Sequence, residues 1–325
     1  MSAVNVLVTG AGGYIGSQVT RALRASANVG KVVAMDVRER PAGLSGVNIE
    51  FAQGDVRDSS IASQIKARAI DVVIHLASIV TPGKNSNREF EYSVDVLGTR
   101  NVLDACLAAG VEKIIVTSSG AAYGYHADSP AWLKETDPLR GNPEFAYSDH
   151  KRQVEEMLRD YRQKHPKLKQ LVFRPGTVIG GAASNQITAL FEKPVVMGVA
   201  GSDSPFVFIW DQDVVDCIVR GATTDLAGIY NLAGDGALSL REIAGILGKP
   251  YLPIPRKALE LSLKALRKLG LTRYGPEQIA FLQYRPVLSN ENLKSGFHYV
   301  PRKTSREAFL YYLDARRNLR KNIAG

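Results

Sequence analysis

Two short stretches carry the residues best suited to chemistry. The run YSDHK (147–151) sets Tyr147 and Lys151 four positions apart, which on a helix is one face. A phenol with a reference pKa near ~10 is a poor base at neutral pH. A neighbouring ammonium favours the phenolate and lowers that value. A phenol tuned in this way can take or give a proton at an alcohol or ketone oxygen. Ser118 and Ser119 follow a strand-like run, where open α/β sheets present ligands at their carboxyl ends. A hydroxyl there can hydrogen-bond the oxygen that Tyr147 protonates. Each stretch alone has an ordinary alternative: an exposed helical Tyr–Lys pair, and two serines finishing a strand.

A second constellation could hold a phosphate. Gly10, Gly13 and Gly16 lie between the β-branched run 4–9 and a helical pattern through Val19 and Leu23. Glycines permit close backbone approach, and a helix N-terminus offers free N–H groups to an anion. The spacing is not the common G-x-G-x-x-G, and a tight strand–helix junction is the alternative. Asp36 closes the next strand-like run 20 residues after Gly16. There a carboxylate can accept from adenosine ribose hydroxyls and repel the extra phosphate of NADP, so NAD is expected and NADP is the alternative. Arg38 and Arg40 lie just beyond and would soften that preference; a solvated strand end is the plainer account of Asp36. Asp55 and Val56 follow a third run, where an adenine edge would be reached or where Asp55 caps a turn.

These residues need a scaffold that brings strand ends together. Runs 4–9, 31–36, 48–51, 71–76, 113–117 and 170–173 read as strands, and 94–109 reads as a helix stopped by Gly110. Repeated β-α-β with buried strands predicts an α/β chain with a Rossmann-type, doubly wound parallel sheet. After Pro175 the rhythm breaks: 176–201 is rich in Gly, Ala and Ser without clear alternation. Residues 211–220 read as a helix and 228–232 as a strand returning to the sheet. Ser239 and Glu242 mark a capping box opening a helix over 239–247. The expected organisation is a cofactor domain over 1–175 and a smaller, mainly substrate-binding lobe over 176–325.

Composition excludes several classes. The 325 residues are 45 % hydrophobic and 22 % charged, ordinary globular values. No run of apolar residues is long enough for a transmembrane helix, and no signal-peptide pattern precedes the first strand. Cys106 and Cys217 sit in apolar helical patterns, which fits a reducing cytoplasm. The net charge of +9 is concentrated: residues 241–325 hold 17 Lys and Arg against 6 Asp and Glu. No nucleic-acid motif accompanies them, so a solvated basic face is expected. The basic pattern 256–269 puts Leu259, Leu263 and Leu266 on one face. Packing against the lobe is expected there, rather than membrane association. No cluster has metal-ligand spacing, and G-x-S-x-G is absent. His75 reads as a core or supporting histidine, His126 as a loop histidine, and Asp211 and Asp213 as helix caps.

Eight features occur in order: TGAGGYIGS (9–17), Asp36, GDVRD (54–58), HLAS (75–78), DVLGTRNVLDA (95–105), VTSSGAAYG (116–124), YSDHK (147–151) and RPGTVIG (174–180). Through them the chain resembles the extended short-chain dehydrogenase/reductase family, also called the NAD-dependent epimerase/dehydratase family, well from residue 4 to about 250 and loosely beyond. The resemblance implies bound NAD, or NADP, and a catalytic triad that motif position puts at Ser119, Tyr147 and Lys151, with Ser118 as the alternative to Ser119. It implies cofactor contacts at Gly10, Gly13, Tyr14, Ile15, Gly16, Asp36, Asp55, Val56, Leu76, Ala77, Ser78, Thr117, Tyr147, Lys151 and Pro175. It also implies hydride exchange at the nicotinamide, a small-molecule substrate, and homodimers built on helices around 95–109 and 146–163.

Four departures refine this. The Asp-Glu pair of sugar dehydratases is replaced by Gly120 and Ala121, which disfavours dehydration. Asp95 stands where the family usually has Asn, so it loses a donor, and either the bracing differs or Asp95 is protonated. The segment from Arg174 to Trp210 spans only 36 residues, with Lys193 its one cation between those ends and Asn185 a candidate phosphate or sugar contact. RPGTVIG is similar to branches performing net redox on less polar substrates. The expectation is therefore a dehydrogenase or ketoreductase. A nucleotide-sugar 4-epimerase is the runner-up, with Arg285 and Tyr284 supplying phosphate contacts. A silent NAD-binding scaffold is the third reading, against which the intact triad argues.

Overall fold

The computed structural model describes residues 3–324 except 42, 45, 82, 84, 85, 204, 272–274 and 277. The first half alternates as the β-branched runs require. β1 (Val4–Thr9), α1 (Tyr14–Arg24), β2 (Val29–Asp36), β3 (Ile49–Gln53), α2 (Ile61–Ala67) and β4 (Val72–His75) come first. α3 (Arg88–Tyr92), a π-helical turn (Ser93–Leu97), α4 (Gly98–Ala109), β5 (Lys113–Thr117), a 3-10 turn (Gly120–Tyr123), α5 (Ala146–Lys164) and β6 (Lys169–Pro175) follow. The rest comprises β7 (Thr177–Ile179), α6 (Gln186–Glu192), β8 (Val196–Val199), β9 (Phe208–Trp210), α7 (Asp211–Thr223), β10 (Gly228–Leu232), α8 (Leu240–Leu247) and β11 (Tyr251–Ile254). α9 (Arg256–Lys268), α10 (Gln278–Gln283), α11 (Glu291–Ser295) and α12 (Ser305–Ala324) complete it.

Seven strands form one sheet in the order β10-β6-β5-β4-β1-β2-β3, and every pairing within it is parallel. Strand residues alternate between two cores. Val6, Val8 and Ile115 pack with Val19 and Leu23 of α1 and Ile218 of α7 on one face. Leu7, Ile114 and Val116 pack with Ile61 of α2, Leu103 of α4 and Leu158 of α5 on the other. Strand order reverses between β1 and β4, which opens a crevice at their carboxyl ends. A third core of Phe191, Phe206, Phe208, Phe309 and Tyr312 lies beside two small parallel sheets, β7–β9 and β8–β11.

The local signals behaved as their chemistry dictates. Gly110 ends α4 in the left-handed conformation at φ 72, and Ser239 and Glu242 form both halves of the capping box. Three expectations need correction. The helix expected over 94–109 is interrupted: Asp95 lies in the π-helical turn, whose wider winding is common at functional sites. Thr99 Oγ1 donates to the Asp95 carbonyl, and a Cβ on Gly98 would stand 2.7 Å from Val56, so the rod sits tight on that loop. The segment 176–201 is not irregular but holds β7, α6 and β8, because Asn185 caps α6 through the Ile187 and Thr188 N–H groups. The leucine face of 256–269 does not pack down as expected: α9 buries no residue, and Leu261 is 68 % exposed. Leu259 and Leu263 are half-buried only.

Candidate active site

The glycine turn is built for close approach. Gly10 has φ +68, and a Cβ there would stand 2.7 Å from the Ala77 nitrogen. A Cβ on Gly16 would lie 2.1 Å from the Gly10 carbonyl. Gly13 opens α1 without a side-chain cap, which leaves first-turn N–H groups, those of Tyr14 and Ile15 among them, for an anion. The Tyr14 hydroxyl donates to Asp211 at 2.6 Å, tying the turn to α7. Burial and that carboxylate hold the phenol protonated. Asp211 is thus a bridge and not a helix cap. Asp213 is likewise bound by the Tyr299 hydroxyl and Arg302.

Asp36 is not a solvated strand end. It is 5 % exposed and accepts from the Gly12 N–H (2.8 Å), the Arg38 N–H (3.1 Å), Arg38 Nε (3.0 Å) and Arg38 Nη2 (3.2 Å). Burial opposes its charge, but Arg38 and the backbone donors outweigh burial and hold its pKa below the ordinary value. Asp55 makes a turn with the Arg57 N–H and pairs with its guanidinium, and Val56 is buried. Leu76 and Ala77 follow β4, their N–H groups on the Thr9 carbonyl and hydroxyl. Pro175 ends β6 beside Leu232.

His75 is a brace. Its Nδ1 lies 2.8 Å from Thr9 Oγ1 and its Nε2 3.0 Å from Thr99 Oγ1. Burial, with help from Lys151, pushes its pKa down to about 4, so at neutral pH it is uncharged. His126 lies in the loop with Nε2 2.8 Å from the Gly141 carbonyl.

The three proposed catalytic residues converge. Ser119 caps the 3-10 turn, accepting from the Ala121 N–H at 3.1 Å. The Ser148 hydroxyl of α5 donates to the Ala121 carbonyl at 2.7 Å, which locks that turn to the helix carrying Tyr147 and Lys151. Lys151 Nζ donates to the Thr117 carbonyl at 3.1 Å and lies 5.7 Å from the Tyr147 ring centre. Burial pushes the Lys151 pKa down. The expected depression of the Tyr147 pKa is absent here. Burial pushes it up to about 12, the Ser119 hydroxyl pulls it back, and the Asp95 carboxylate raises it further. The ammonium stands over the ring and spends its hydrogen bond on Thr117. Asp95 is 3 % exposed, and its Oδ1 accepts from the Ile79 N–H at 2.8 Å. Burial raises its pKa, but His150, Lys151 and that N–H bring it below the ordinary carboxylate range. These contacts favour the carboxylate form of Asp95. The hydroxyls of Ser78, Thr117 and Ser118 are buried without a hydrogen-bond partner among the described residues.

An aromatic wall adjoins Tyr147. Phe145 stands 6.3 Å from Tyr147, and Tyr125 and Phe281 stand 5.7 Å and 5.6 Å from Phe145. The Arg285 guanidinium lies 3.8 Å from the Phe206 ring and 4.3 Å from Phe281. Its Nε and Nη2 have no hydrogen-bond partner among the described residues, and burial pushes its pKa down to about 10. Tyr284 turns away, its hydroxyl 3.5 Å from Arg256 Nη1. Asn185 has its side-chain oxygen engaged in capping α6. The wall escaped sequence reading because Tyr125, Phe145 and Phe281 come from unrelated stretches with no shared spacing.

Known proteins agree with this architecture. Residues 6–233 match the NAD dependent epimerase/dehydratase family. A UDP-glucose 4-epimerase from Erwinia amylovora is 34 % identical over 194 residues, 57 % of this chain and 56 % of that protein. An uncharacterised protein of Mycobacterium bovis is 25 % identical over 96 % of this chain and 84 % of its own length. The UDP-glucose 4-epimerase of Thermus thermophilus, solved in complex with NAD, superposes with a TM-score of 0.72 at 24 % identity, covering 96 % of this chain and 99 % of that one. With the matched segment taking in all seven strands of the sheet but the first two residues of β1, the chain belongs to the NAD dependent epimerase/dehydratase family.

Proposed function

We propose that the protein is an NAD-dependent oxidoreductase acting at a secondary alcohol or ketone carbon, with Tyr147 exchanging the proton at the substrate oxygen. The observation that supports it most is the meeting of Ser119, Tyr147 and Lys151 at the carboxyl end of β5, on the sheet edge that carries the glycine turn. The residues fit a dinucleotide: a Cβ on Gly10 or Gly16 would strike backbone, so the tight turn needs glycine at both, α1 opens without a side-chain cap, and the buried hydroxyls of Ser78, Thr117 and Ser118 lack partners among the described residues. Gly10, Gly13, Tyr14, Ile15 and Gly16 would hold the pyrophosphate, and Asp36, Asp55 and Val56 the adenosine. Leu76, Ala77, Ser78, Thr117, Pro175 and Lys151 would hold the nicotinamide end. When bound, NAD supplies the hydride acceptor or donor. The ionised Asp36 would face any 2′-phosphate, and Arg38 is already committed to it, which supports NAD over NADP.

The remaining steps belong to the chain. Ser119 orients the substrate oxygen. Tyr147 gives it a proton in reduction and takes one in oxidation. Lys151 places its charge over the Tyr147 ring and anchors to Thr117. β-Elimination lacks an acid and a base: position 120 is Gly, and a Cβ there would already stand 3.0 Å from Leu288. The reading includes a substrate-binding role for the region after Pro175, a reducing cytoplasm suited to two free buried cysteines, and a homodimer on α4 and α5, which pack side by side.

A second reading, nucleotide-sugar 4-epimerisation with retained NAD, is favoured by one observation. Arg285 is half-buried, its Nε and Nη2 lack partners among the described residues and could meet an anionic substrate group, and it adjoins the wall beside Tyr147. The test is to denature fresh protein, identify any released nucleotide, and assay alcohols, ketones and UDP-sugars with added NAD or NADH. Nucleotide-free protein that turns over with added cofactor supports net redox. One NAD per subunit with UDP-sugar epimerisation replaces it by the second reading. No binding of either nucleotide in any preparation overturns both.

A further inference from the structure

His150 and Asp95 form a buried pair that the triad does not account for. His150 sits on α5, three residues after Tyr147 and one before Lys151, and is 1 % exposed. Neither ring nitrogen has a hydrogen-bond partner among the described residues, and neither does Asp95 Oδ2. These orphans face one another, with His150 Nδ1 3.8 Å from Asp95 Oδ2. Buried polar atoms are rarely left unpartnered without a functional reason.

Asp95 also creates a problem at the site. A buried carboxylate works against losing the Tyr147 proton, whereas a neutral amide in its place would not. A cation facing its free oxygen would cancel that effect. Lys151 acts on Asp95 as a charge while bound to the neutral Thr117 carbonyl, and His150 is the titratable group that faces the free oxygen itself. From α3, the Tyr92 ring meets His150 edge-on at 5.6 Å, and Glu91 is bound to Ser86. From β4, His75 is held by Thr9 and Thr99. From α4, Asp104 is bound to Tyr161. On α5 itself, Asp149 turns to Arg88 and Arg152, Glu155 to Arg174, and Lys151 to Thr117.

We propose that Asp95 and His150 act as one positioning pair, in which His150 carries the proton whose charge offsets the Asp95 carboxylate beside Tyr147 and Lys151. The pair then presents the triad with the net charge that a neutral amide would. When His150 loses its proton, the bare carboxylate raises the cost of forming the Tyr147 phenolate. The kinetic consequence rests on Tyr147 as the proton-transfer group; the protonation of His150 does not.

The experiment therefore has two arms. Nitrogen NMR of histidine-labelled protein at neutral pH, without substrate, reads the pair directly. The wild type is expected to show His150 with both nitrogens protonated, and Asp95→Asn to show it neutral. A neutral His150 in the wild type overturns the proposal whatever the enzyme turns out to do. The second arm is the pH profile of alcohol oxidation. His150→Gln should move the rising limb to higher pH by about one unit, whereas Asp95→Asn, which sets a neutral amide beside a neutral His150, should leave the limb at its wild-type position. In the Asp95→Asn background, His150→Gln should have no further effect on the limb. Equal shifts from His150→Gln in both backgrounds would mean packing alone and would overturn the pairing. If the NMR arm holds while Tyr147→Phe keeps full turnover, the proposed function fails and the ion pair stands.

Discussion

Two regions of the molecule hold the same side-chain types, an arginine and a histidine, and treat them oppositely. Where β6, α5 and the 3-10 turn meet, Arg174 forks onto Glu155 with two 2.7 Å bonds and reaches the Tyr123 hydroxyl at 2.8 Å and the Glu135 carbonyl at 3.0 Å. Glu155 opposes the burial of that guanidinium and raises its pKa. In the same region's scaffold, His75 has a hydroxyl on each nitrogen. Beside Tyr147 and its aromatic wall, Arg285 lies on aromatic rings with two nitrogens unpartnered among the described residues, and both ring nitrogens of His150 are unpartnered likewise. Closed groups hold the sheet and its helices together. On the reading proposed above, the open ones are where an incoming molecule, or a movable proton, would supply the missing partner.

Breaking the closed side should have the largest effect on folding. Arg174→Gln leaves Glu155 buried without its cation, and should cost about 3–5 kcal/mol in chemical denaturation. A loss under about 1 kcal/mol would show that the fork contributes little. His75 gives a gentler test through pH. Its folded pKa of about 4 lies below the reference 6.5, so the unfolded chain binds more protons between those values. Its contribution is present above pH 6.5 and is lost as pH falls toward about 4, by up to about 3 kcal/mol. Denaturation curves across that window, flattened in His75→Gln, would confirm it.

The open side should respond in the opposite sense. Arg285→Met removes unpaired buried donors, so stability should hold or rise, while affinity for an anionic substrate or for UDP should fall about 10–100-fold by calorimetry. A stability loss as large as that of Arg174→Gln would erase the contrast. The smallest effect is expected at α9. Leu261→Ser should stay within about 0.5 kcal/mol of the wild type, because that side chain packs on nothing that folding must keep dry.

What was legible in the sequence was local. Gly10, Gly13 and Gly16, or Tyr147 and Lys151, owe their meaning to spacing within one turn or one helix, and that spacing survives in the fold. The doubly wound parallel sheet followed from six strand-like runs and one returning strand. The closures were not legible. Arg38 folding back on Asp36, Asn185 spending its carbonyl on α6, and Arg285 reaching Phe206 depend on which surfaces the chain stacks. The π-helical turn that aims Asp95 inward left no periodic trace, since one wider turn shifts the helical pattern by a single residue. The α9 leucines show the converse: an amphipathic stripe predicts a face, not that something covers it.

The central claim is that Tyr147 moves the proton while the glycine turn holds the cofactor. The direct measurement compares wild type and Tyr147→Phe for steady-state turnover and for NADH affinity by fluorescence titration. The account predicts that turnover falls about 10²–10⁴-fold while NADH affinity and melting temperature stay at wild-type values. Full turnover in Tyr147→Phe would contradict it.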